Sequence, residues 1–227
     1  PVALPAVRIT RQFGALVETY QHRTDGFHNI DRSERTAGNN IREYMAKLRW
    51  RAPEGAAIQQ QIDLKLFKGD NAADVSYVGL TDADFRRNPY GLTELERINQ
   101  GRRSASLQHQ IHFTPDISLI STGYVTKTFR NYQRVNQING IGLSTTSGIT
   151  QLINRGQGSG GLTAAQLQSI LDGTMDTTHA NGIRYGLNFQ SFISRGLSFE
   201  GRAAFATGGI EHELMGGVRI HKDVTRN

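Results

Sequence analysis

The sequence predicts an all-β fold: an antiparallel up-and-down meander of about seven or eight long strands, forming part of a transmembrane β-barrel. Two observations favour it. Apolar and polar residues alternate with period two along several segments, and short turns and long polar stretches join these segments alternately. No apolar run reaches the roughly 20 residues of a membrane helix, whereas a barrel strand needs only about 9 to 11 residues. A mean hydropathy of −0.45 is therefore compatible with a membrane barrel.

The composition excludes several classes of site. The 227 residues include no cysteine, so neither disulfides nor thiolate metal ligands are available. The formal net charge is +6, but acidic and basic residues are interleaved, which does not indicate a nucleic-acid-binding arm. A negatively charged small ligand or an anionic lipid surface suits this balance better.

The clearest strand runs over residues 42–52. Its apolar side chains stand at every second position, and charged residues and a methionine fill the alternate positions. One face therefore carries Tyr44, Ala46, Leu48, Trp50 and Ala52, while the other carries Glu43, Met45, Lys47, Arg49 and Arg51. A helix would mix the two sets on one stripe, so the pattern predicts a strand.

Further segments extend this pattern into a meander. We predict the other strands at residues 7–22, 57–68, 103–113, 117–130, 183–206 and 211–222. Short turns follow at residues 53–55, 114–116 and 207–209, and long polar connections at residues 23–40, 69–101 and 131–181. In outer-membrane barrels, short turns face the periplasm and long loops face the exterior.

Two local assignments complete the prediction. A turn at Ser194, Arg195 and Gly196 would give eight strands, but it would break the alternation of connections, so seven is preferred. Within the last long connection, Thr163 can cap a helix over residues 164–171, and Gly173 can end it.

Several segments of the sequence together carry a resemblance to a known family. They are Phe13-Gly14-Ala15-Leu16, the later Arg23-Thr24-Asp25-Gly26-Phe27, and the strand at residues 44–50. Residues 77–85, then Asn88-Pro89-Tyr90, and the His-x-Leu-x-x-Gly-x-Arg-x-His-x-Asp pattern of residues 212–223 complete the set. Over most of its length, the sequence resembles the barrel of TonB-dependent outer-membrane receptors, in particular the ferric-citrate type. The resemblance weakens in the glycine-rich stretch around residues 156–161.

This resemblance implies the function. It implies TonB-dependent import of a ferric chelate, either ferric citrate or a siderophore, through a barrel of 22 strands around an N-terminal plug. We expect residues 1–227 to be a fragment of that barrel domain, with the plug and the remaining strands absent. The implied partners are the TonB–ExbB–ExbD system through the plug, the ferric chelate as cargo, and outer-membrane lipid and lipopolysaccharide. Neither an enzymatic activity, a cofactor nor a nucleic-acid partner is implied.

Arginines in the long connections are the candidate ligand-binding residues. Guanidinium groups bind carboxylates bidentately and stay charged at all relevant pH values, which suits an anionic chelate such as ferric dicitrate. The candidates are Arg86, Arg87, Arg97, Arg102 and Arg103. Solvated loop charges, or contacts with lipopolysaccharide phosphates, are the alternative interpretation of the set.

Other motifs carry no chemistry in this interpretation. His109 and His112 are three apart on a strand, so they point to opposite faces and cannot share a metal. The glycine-rich residues 156–161 lack the Lys-Ser/Thr of a phosphate loop and indicate a flexible connection. We assign four aromatic residues near predicted strand ends to membrane-interface girdles, with packing in a soluble sheet as the alternative: Tyr20, Trp50, Tyr124 and Phe129.

Two other functions remain open from the sequence. A passive porin-like or adhesin barrel would need no plug. A soluble module that binds carbohydrate or protein would keep both faces of its sheet away from lipid.

Overall fold

The computed structural model describes residues 2–3, 7–8, 10–30, 34, 36–76, 78–92, 96–143, 148–180 and 182–226. Tyr77, in the segment on which part of the family resemblance rests, lies outside this described part. The elements follow in chain order: β1 Val2–Ala3, β2 Val7–Arg8, β3 Phe13–Thr24, β4 Asn29–Ile30, β5 Asn39–Arg51, β6 Gln59–Val75, α1 Asp82–Arg87, β7 Gly91–Leu92, β8 Glu96–His112, β9 Ile117–Ile138, β10 Ile141–Gly142, α2 Ile149–Asn154, α3 Ala164–Leu171, β11 Ile183–Thr207 and β12 Ile210–Arg226.

One open antiparallel sheet dominates the fold. Its order is β1-β3-β5-β6-β8-β9-β11-β12, with β2 also pairing with β3 and β10 with β9. From β3 to β12, the long strands therefore lie side by side in the order in which they follow along the chain. Seven of these strands are long, which confirms the predicted meander. Arg195 pairs with Val125 on one side and Lys222 on the other, so β11 continues unbroken through the position of the alternative turn.

The first predicted strand is shorter than expected. It begins at Phe13 instead of residue 7, because the Thr10 hydroxyl accepts hydrogen bonds from the backbone N–H groups of Gln12 and Phe13. This turn reverses the chain, so that β2 pairs antiparallel with the beginning of β3, with Val7 opposite Ala15. The result is a fourth short connection, at the same end of the sheet as the three predicted ones.

The two ends of the sheet differ as predicted. The β11–β12 connection is a two-residue turn in which Gly208 and Gly209 both have positive φ, the geometry that matches the twist of paired strands. Long connections at the other end cover residues 25–38, 76–95 and 139–182. The second and third are shorter than predicted, because β6, β8 and β9 extend beyond their predicted ends as paired strands with polar side chains on both faces. Asn71 pairs there with Gln100, which in turn pairs with Arg130.

The strand register produces two chemically distinct faces. Direct partners share a face, so one apolar row crosses five strands and consists of Val17, Ala46, Leu66, Ala105 and Val125. The adjacent row on the other face is mostly polar and consists of Leu16, Lys47, Lys65, Ser106, Tyr124, Gly196 and His221. We call these the apolar face and the polar face.

The predicted aromatic girdle is wrong for two of its four residues. Trp50 and Phe129 lie on the apolar face, but Tyr20 and Tyr124 lie on the polar face. The correction follows from register, since Tyr20 is paired with Glu43 and Tyr124 with Ser106.

The buried apolar core lies mainly among the long connections and at the end of β9 that adjoins them. It consists of Val78, Val135, Ile138, Ile141, Ile149, Leu167, Ile170 and Leu171. Among the described helices, none is long and apolar enough to cross a membrane.

Two glycines in the β11–β12 hairpin give a matched test of this packing. A Cβ at Gly196 would lie 2.7 Å from both the Ile220 carbonyl oxygen and the Tyr124 hydroxyl, whereas a Cβ at Gly216 would meet nothing within 4 Å. We expect Gly196→Ala to destabilise the complete protein by about 1–3 kcal/mol, the usual cost of overpacking. Gly216→Ala should be neutral or stabilising, since glycine weakens strands. Thermal unfolding in detergent measures both; equal melting temperatures would contradict the packing described.

Candidate functional site

The connections at the long-loop end form a small folded cap, defined here as residues 78–92, 139–143 and 148–180. Helix α3 matches the predicted bounds and cap: the Thr163 hydroxyl accepts from the Gln166 N–H, while the Gln166 side chain accepts from the Thr163 N–H. Gly173 follows it with φ +66°. Leu167 of α3 and Ile149 of α2 are fully buried, so these helices share one core.

Helix α1 is held to this cap through a buried carboxylate, Asp84. Only 3% of Asp84 is exposed. It accepts hydrogen bonds from the Thr81 hydroxyl at 2.7 Å, from Arg87 Nη2 at 2.8 Å, and from Gln168 Nε2 at 3.1 and 3.2 Å. Asp82 on the same helix accepts from Asn154 Nδ2 of α2 at 3.1 Å. Two connections far apart in sequence are thereby joined.

The first long connection joins the second beside this cap. β4 and β7 pair in parallel, and the Asn29 N–H donates to the Tyr90 carbonyl at 2.8 Å. The rings of Phe27 and Tyr90 meet edge to face, with centroids 6.0 Å apart. Both remain exposed, as does Phe85 at 60%, so aromatic side chains are available on the outer surface of the loops.

The structure separates the five candidate arginines into three groups. Arg86 and Arg87 lie on α1, where Arg87 contacts Asp84 and also Asp172 at 3.6 Å. The other three belong to β8 instead of a loop, because β8 begins at Glu96. Arg102 lies on the polar face, opposite Thr128, whereas Arg97 and Arg103 lie on the apolar face.

Arg102 borders a hollow of about 220 Å³ in the polar face, above Gly69. Its guanidinium lies over the Phe67 ring, 5.8 Å from the centroid, and the remaining lining includes Glu43 and Asn71. Small-molecule sites occupy about 300–1,000 Å³. The hollow is smaller than that range, so by itself it does not form a complete small-molecule site.

A hydrogen-bonded chain that sequence reasoning missed also lies on the polar face. The Tyr124 hydroxyl lies 2.6 Å from His221 Nδ1, whose other ring nitrogen, Nε2, lies 2.7 Å from Asp223 Oδ2. Arg219 Nη2 donates to the same hydroxyl at 2.6 Å. The His-x-Asp spacing places His221 and Asp223 on one face of a strand, but their partner is 97 residues away in the chain.

The predicted assignment of the histidines to opposite faces agrees with the strand register. His109 lies 3.0 Å from Gln60 Oε1 on the apolar face, and His112 lies 3.0 Å from Gln110 Nε2 on the polar face. Within the described ranges, no group of three or more histidine or carboxylate side chains is arranged to hold a metal ion.

The comparisons with known proteins agree with the fold. No protein-family model matches the sequence, and no curated protein matches it significantly. Two solved structures align with 97% of the chain at a TM-score of 0.54 and 11% identity: the ferric-catecholate import receptor Fiu of E. coli K12, and BauA, the ferric preacinetobactin receptor of Acinetobacter baumannii. The chain spans 31% of the first and 27% of the second. Its fold is thus similar to a portion of outer-membrane barrel receptors.

Removal of the Asp84 carboxylate tests whether it organises the cap. Asp84→Ala leaves the buried Thr81 hydroxyl and the Gln168 amide without their shared acceptor, at a cost of about 1–3 kcal/mol. We expect amide hydrogen exchange over residues 164–171 to accelerate about tenfold or more. Asp176→Ala, at an exposed position of the same cap, should leave exchange unchanged. Equal exchange rates in the two variants would remove Asp84 from this role.

Proposed function

We propose that this chain forms part of the barrel wall and the extracellular loops of a TonB-dependent outer-membrane receptor that imports a ferric chelate. The observation that carries the proposal is the two-faced antiparallel meander with short turns at one end and long loops at the other. The fold similarity to two ferric-siderophore receptors supports it.

The apolar face is the surface assigned to lipid. Its side chains are large and open in the isolated sheet; the exposed fraction is 49% for Leu107, 60% for Val218 and 69% for Ile220. A water-exposed apolar surface that spans seven strands would be an aggregation site, so it needs a hydrocarbon environment or a partner. Barrel walls present such a face to the bilayer and a polar face to the lumen.

The polar face is the surface assigned to the lumen and the plug. Charged residues of both signs pair across its strands, with Arg49 beside Asp63 and Arg202 beside Glu213 at 2.5 Å each. Such a surface suits contact with water and with a polar plug. In this proposal, TonB, energised by ExbB and ExbD, acts on the plug to release bound chelate into the periplasm.

The proposed ligand is ferric citrate, a multivalent anion. The assignment of citrate among ferric chelates rests on the sequence resemblance and on the basic side chains that face the loops and lumen. Arg86 and Arg102 are retained as ligand contacts, and Arg87 acts mainly by holding α1 to the cap. Arg97 and Arg103 are left out, because the strand register directs both to the opposite face.

Two neighbouring arginines provide an internally controlled test. Arg102→Ala removes a charge-assisted contact of about 1.5–3 kcal/mol, so ferric citrate should bind the complete receptor at least tenfold more weakly. Arg103→Ala makes the same chemical change on the other face and should leave the affinity unchanged. Binding of iron-55-labelled ferric citrate to membranes that contain the complete receptor measures both.

Three outcomes of this test would contradict the proposal. Equal affinity in the two variants would remove Arg102 from the site. Competition by a ferric catecholate, with no binding of ferric citrate, would reject the citrate assignment. Uptake that continues without TonB, together with a permanently open conductance in lipid bilayers, would favour the porin-like barrel.

A further inference from the structure

We propose that the polar face carries a binding site for a small oxyanion ligand, a molecule with two or more carboxylate or phosphate groups. The site consists of Lys47, Arg49, Arg51 and Lys65, which we call the cationic group. The site itself requires only that solutes reach the polar face. Its location near the periplasmic end of a lumen rests on the proposed function.

Two lysines of the cationic group are directly opposed. Lys47 of β5 is paired with Lys65 of β6, and like charges in opposed positions destabilise a sheet. Their other partners are Leu16 and Ser106, so no cross-strand neighbour supplies a carboxylate. Within the described residues, the ion pairs leave out both lysines. An anion bound between the two ammonium groups would replace this repulsion with attraction.

The two arginines of the cationic group are held in fixed positions. Arg49 Nε donates to Asp63 Oδ1 at 2.5 Å, and Arg51 Nε donates to Gln61 Oε1 at 2.7 Å. Gln61 Nε2 donates to Asp63 Oδ2 at 2.6 Å and so joins the two pairs. Over the described ranges, the terminal Nη groups of both arginines make no hydrogen bond and remain available as donors. Guanidinium groups fixed in this way can bind a carboxylate or phosphate through two parallel N–H groups.

A hollow of about 500 Å³ lies beside the cationic group, over β3. Its lining includes Lys47, Arg49 and Arg51, together with Arg11 from the turn before β3. Gly14 provides the space, since it is directly opposite Arg49 and an added Cβ there would meet nothing within 4 Å. The volume falls within the range of about 300–1,000 Å³ for small-molecule sites. The hollow can therefore hold a small ligand in contact with several cations.

The charge around this hollow is predominantly positive. Four cationic side chains line it, and Asp63 is the only carboxylate among the described lining residues. Both oxygens of Asp63 already accept hydrogen bonds, from Arg49 and Gln61. Elsewhere on the polar face, Arg202 is balanced by Glu213 alone. A hollow with an excess of positive charge concentrates anions from solution.

The spacing of the cations favours a ligand with more than one oxyanion. Lys47, Arg49 and Arg51 stand at alternate positions of β5, roughly 7 Å apart and about 13 Å from first to last. A single carboxylate reaches one or two of these side chains, whereas a ligand with two or three such groups contacts the whole set. The expected ligands are therefore dicarboxylates, tricarboxylates and compounds with two phosphate groups.

The cationic group is separate from the hollow beside Arg102. Arg102 is opposite Gly69 of β6, whereas Arg49 is opposite Asp63 of the same strand. These two β6 positions are six residues apart, which is roughly 20 Å along the strand. The cationic group also ends at Arg51, next to a short turn. If the polar face lines a lumen, a ligand held here lies near its periplasmic end.

Calorimetric titration of the complete receptor, purified in neutral detergent, with two iron-free probes tests the site. The probes are tricarballylate, a tricarboxylate, and inorganic pyrophosphate, which has two phosphate groups. Lys47→Gln/Lys65→Gln removes the opposed lysines, so affinity for the tighter-binding probe should fall about tenfold or more. Lys68→Gln/Lys127→Gln removes two lysines from the apolar face and is the charge-matched control, with unchanged affinity.

A second variant fills the hollow without a change in charge. Gly14→Val adds a branched side chain beside Arg49, in open space, and should weaken binding of the same probe by a similar factor. Thermal unfolding checks that the lysine variant is folded. Without a probe, Lys47→Gln/Lys65→Gln should be at least as stable as the wild type, because the repulsion is removed. Saturating probe should raise the melting temperature of the wild type and leave that of the double variant unchanged.

Two results would overturn the proposal: no saturable binding of either probe to the wild-type receptor, or equal affinity in the polar-face and apolar-face double variants. Tighter binding of tricarballylate assigns the site to carboxylates, and tighter binding of pyrophosphate assigns it to phosphates. Both of these outcomes support an oxyanion site.

These results are distinguishable from failure of the proposed function. A wild-type receptor that binds ferric citrate but neither probe contradicts only the oxyanion site. A receptor that binds a probe at the cationic group, but binds no ferric chelate, contradicts only the proposed function.

Discussion

The backbone hydrogen bonds between antiparallel strands are the constraint on which the rest of this structure depends. Because side chains alternate with period two, a slip of one residue in any pair would exchange the faces of that whole strand. Pairing is continuous from Ile210 to Arg226 between β11 and β12, and the β9–β11 pairing has one irregularity, beside Arg184 and Tyr185. The separation of apolar from polar side chains therefore persists across all seven long strands.

A second consequence concerns where the stability lies. In the described residues, the sheet places most of its large apolar side chains on an open face, and the buried core is in the loop cap. The sheet is therefore stabilised mainly by backbone hydrogen bonds between its strands and by the surroundings that contact its apolar face. The cap is held by its own small core and by the Asp84 cluster. Loops organised in this way present Arg86 and the exposed aromatic rings from a defined surface.

Much of the fold was predictable from the sequence, and the elements that were not predicted lack a local sequence pattern or depend on tertiary contacts. Strand positions, short turns and helix α3 follow from local patterns. The ends of β6, β8 and β9 do not, because alternation disappears where both faces are polar. Helix α1 was missed although Thr81 and Asp84 have capping spacing, and α2 has no side-chain cap. The alternation of side chains along a strand is enough to place Arg102 and Arg103 on opposite faces. The Asp84–Gln168 contact joins residues 84 positions apart in the chain, so it can be found only from the tertiary structure.

The assignment of the apolar face to lipid and of the polar face to water is tested most directly by labelling single cysteines in β8. The sequence contains no cysteine, so each introduced thiol in this chain reports on one position. Cysteines placed in turn at residues 104–109 of the complete receptor, in intact outer membranes, should react with a water-soluble maleimide at 104, 106 and 108. Positions 105, 107 and 109 should be protected, since they lie on the face that the proposed function assigns to lipid. Uniform labelling, or protection of the even positions, would contradict the account.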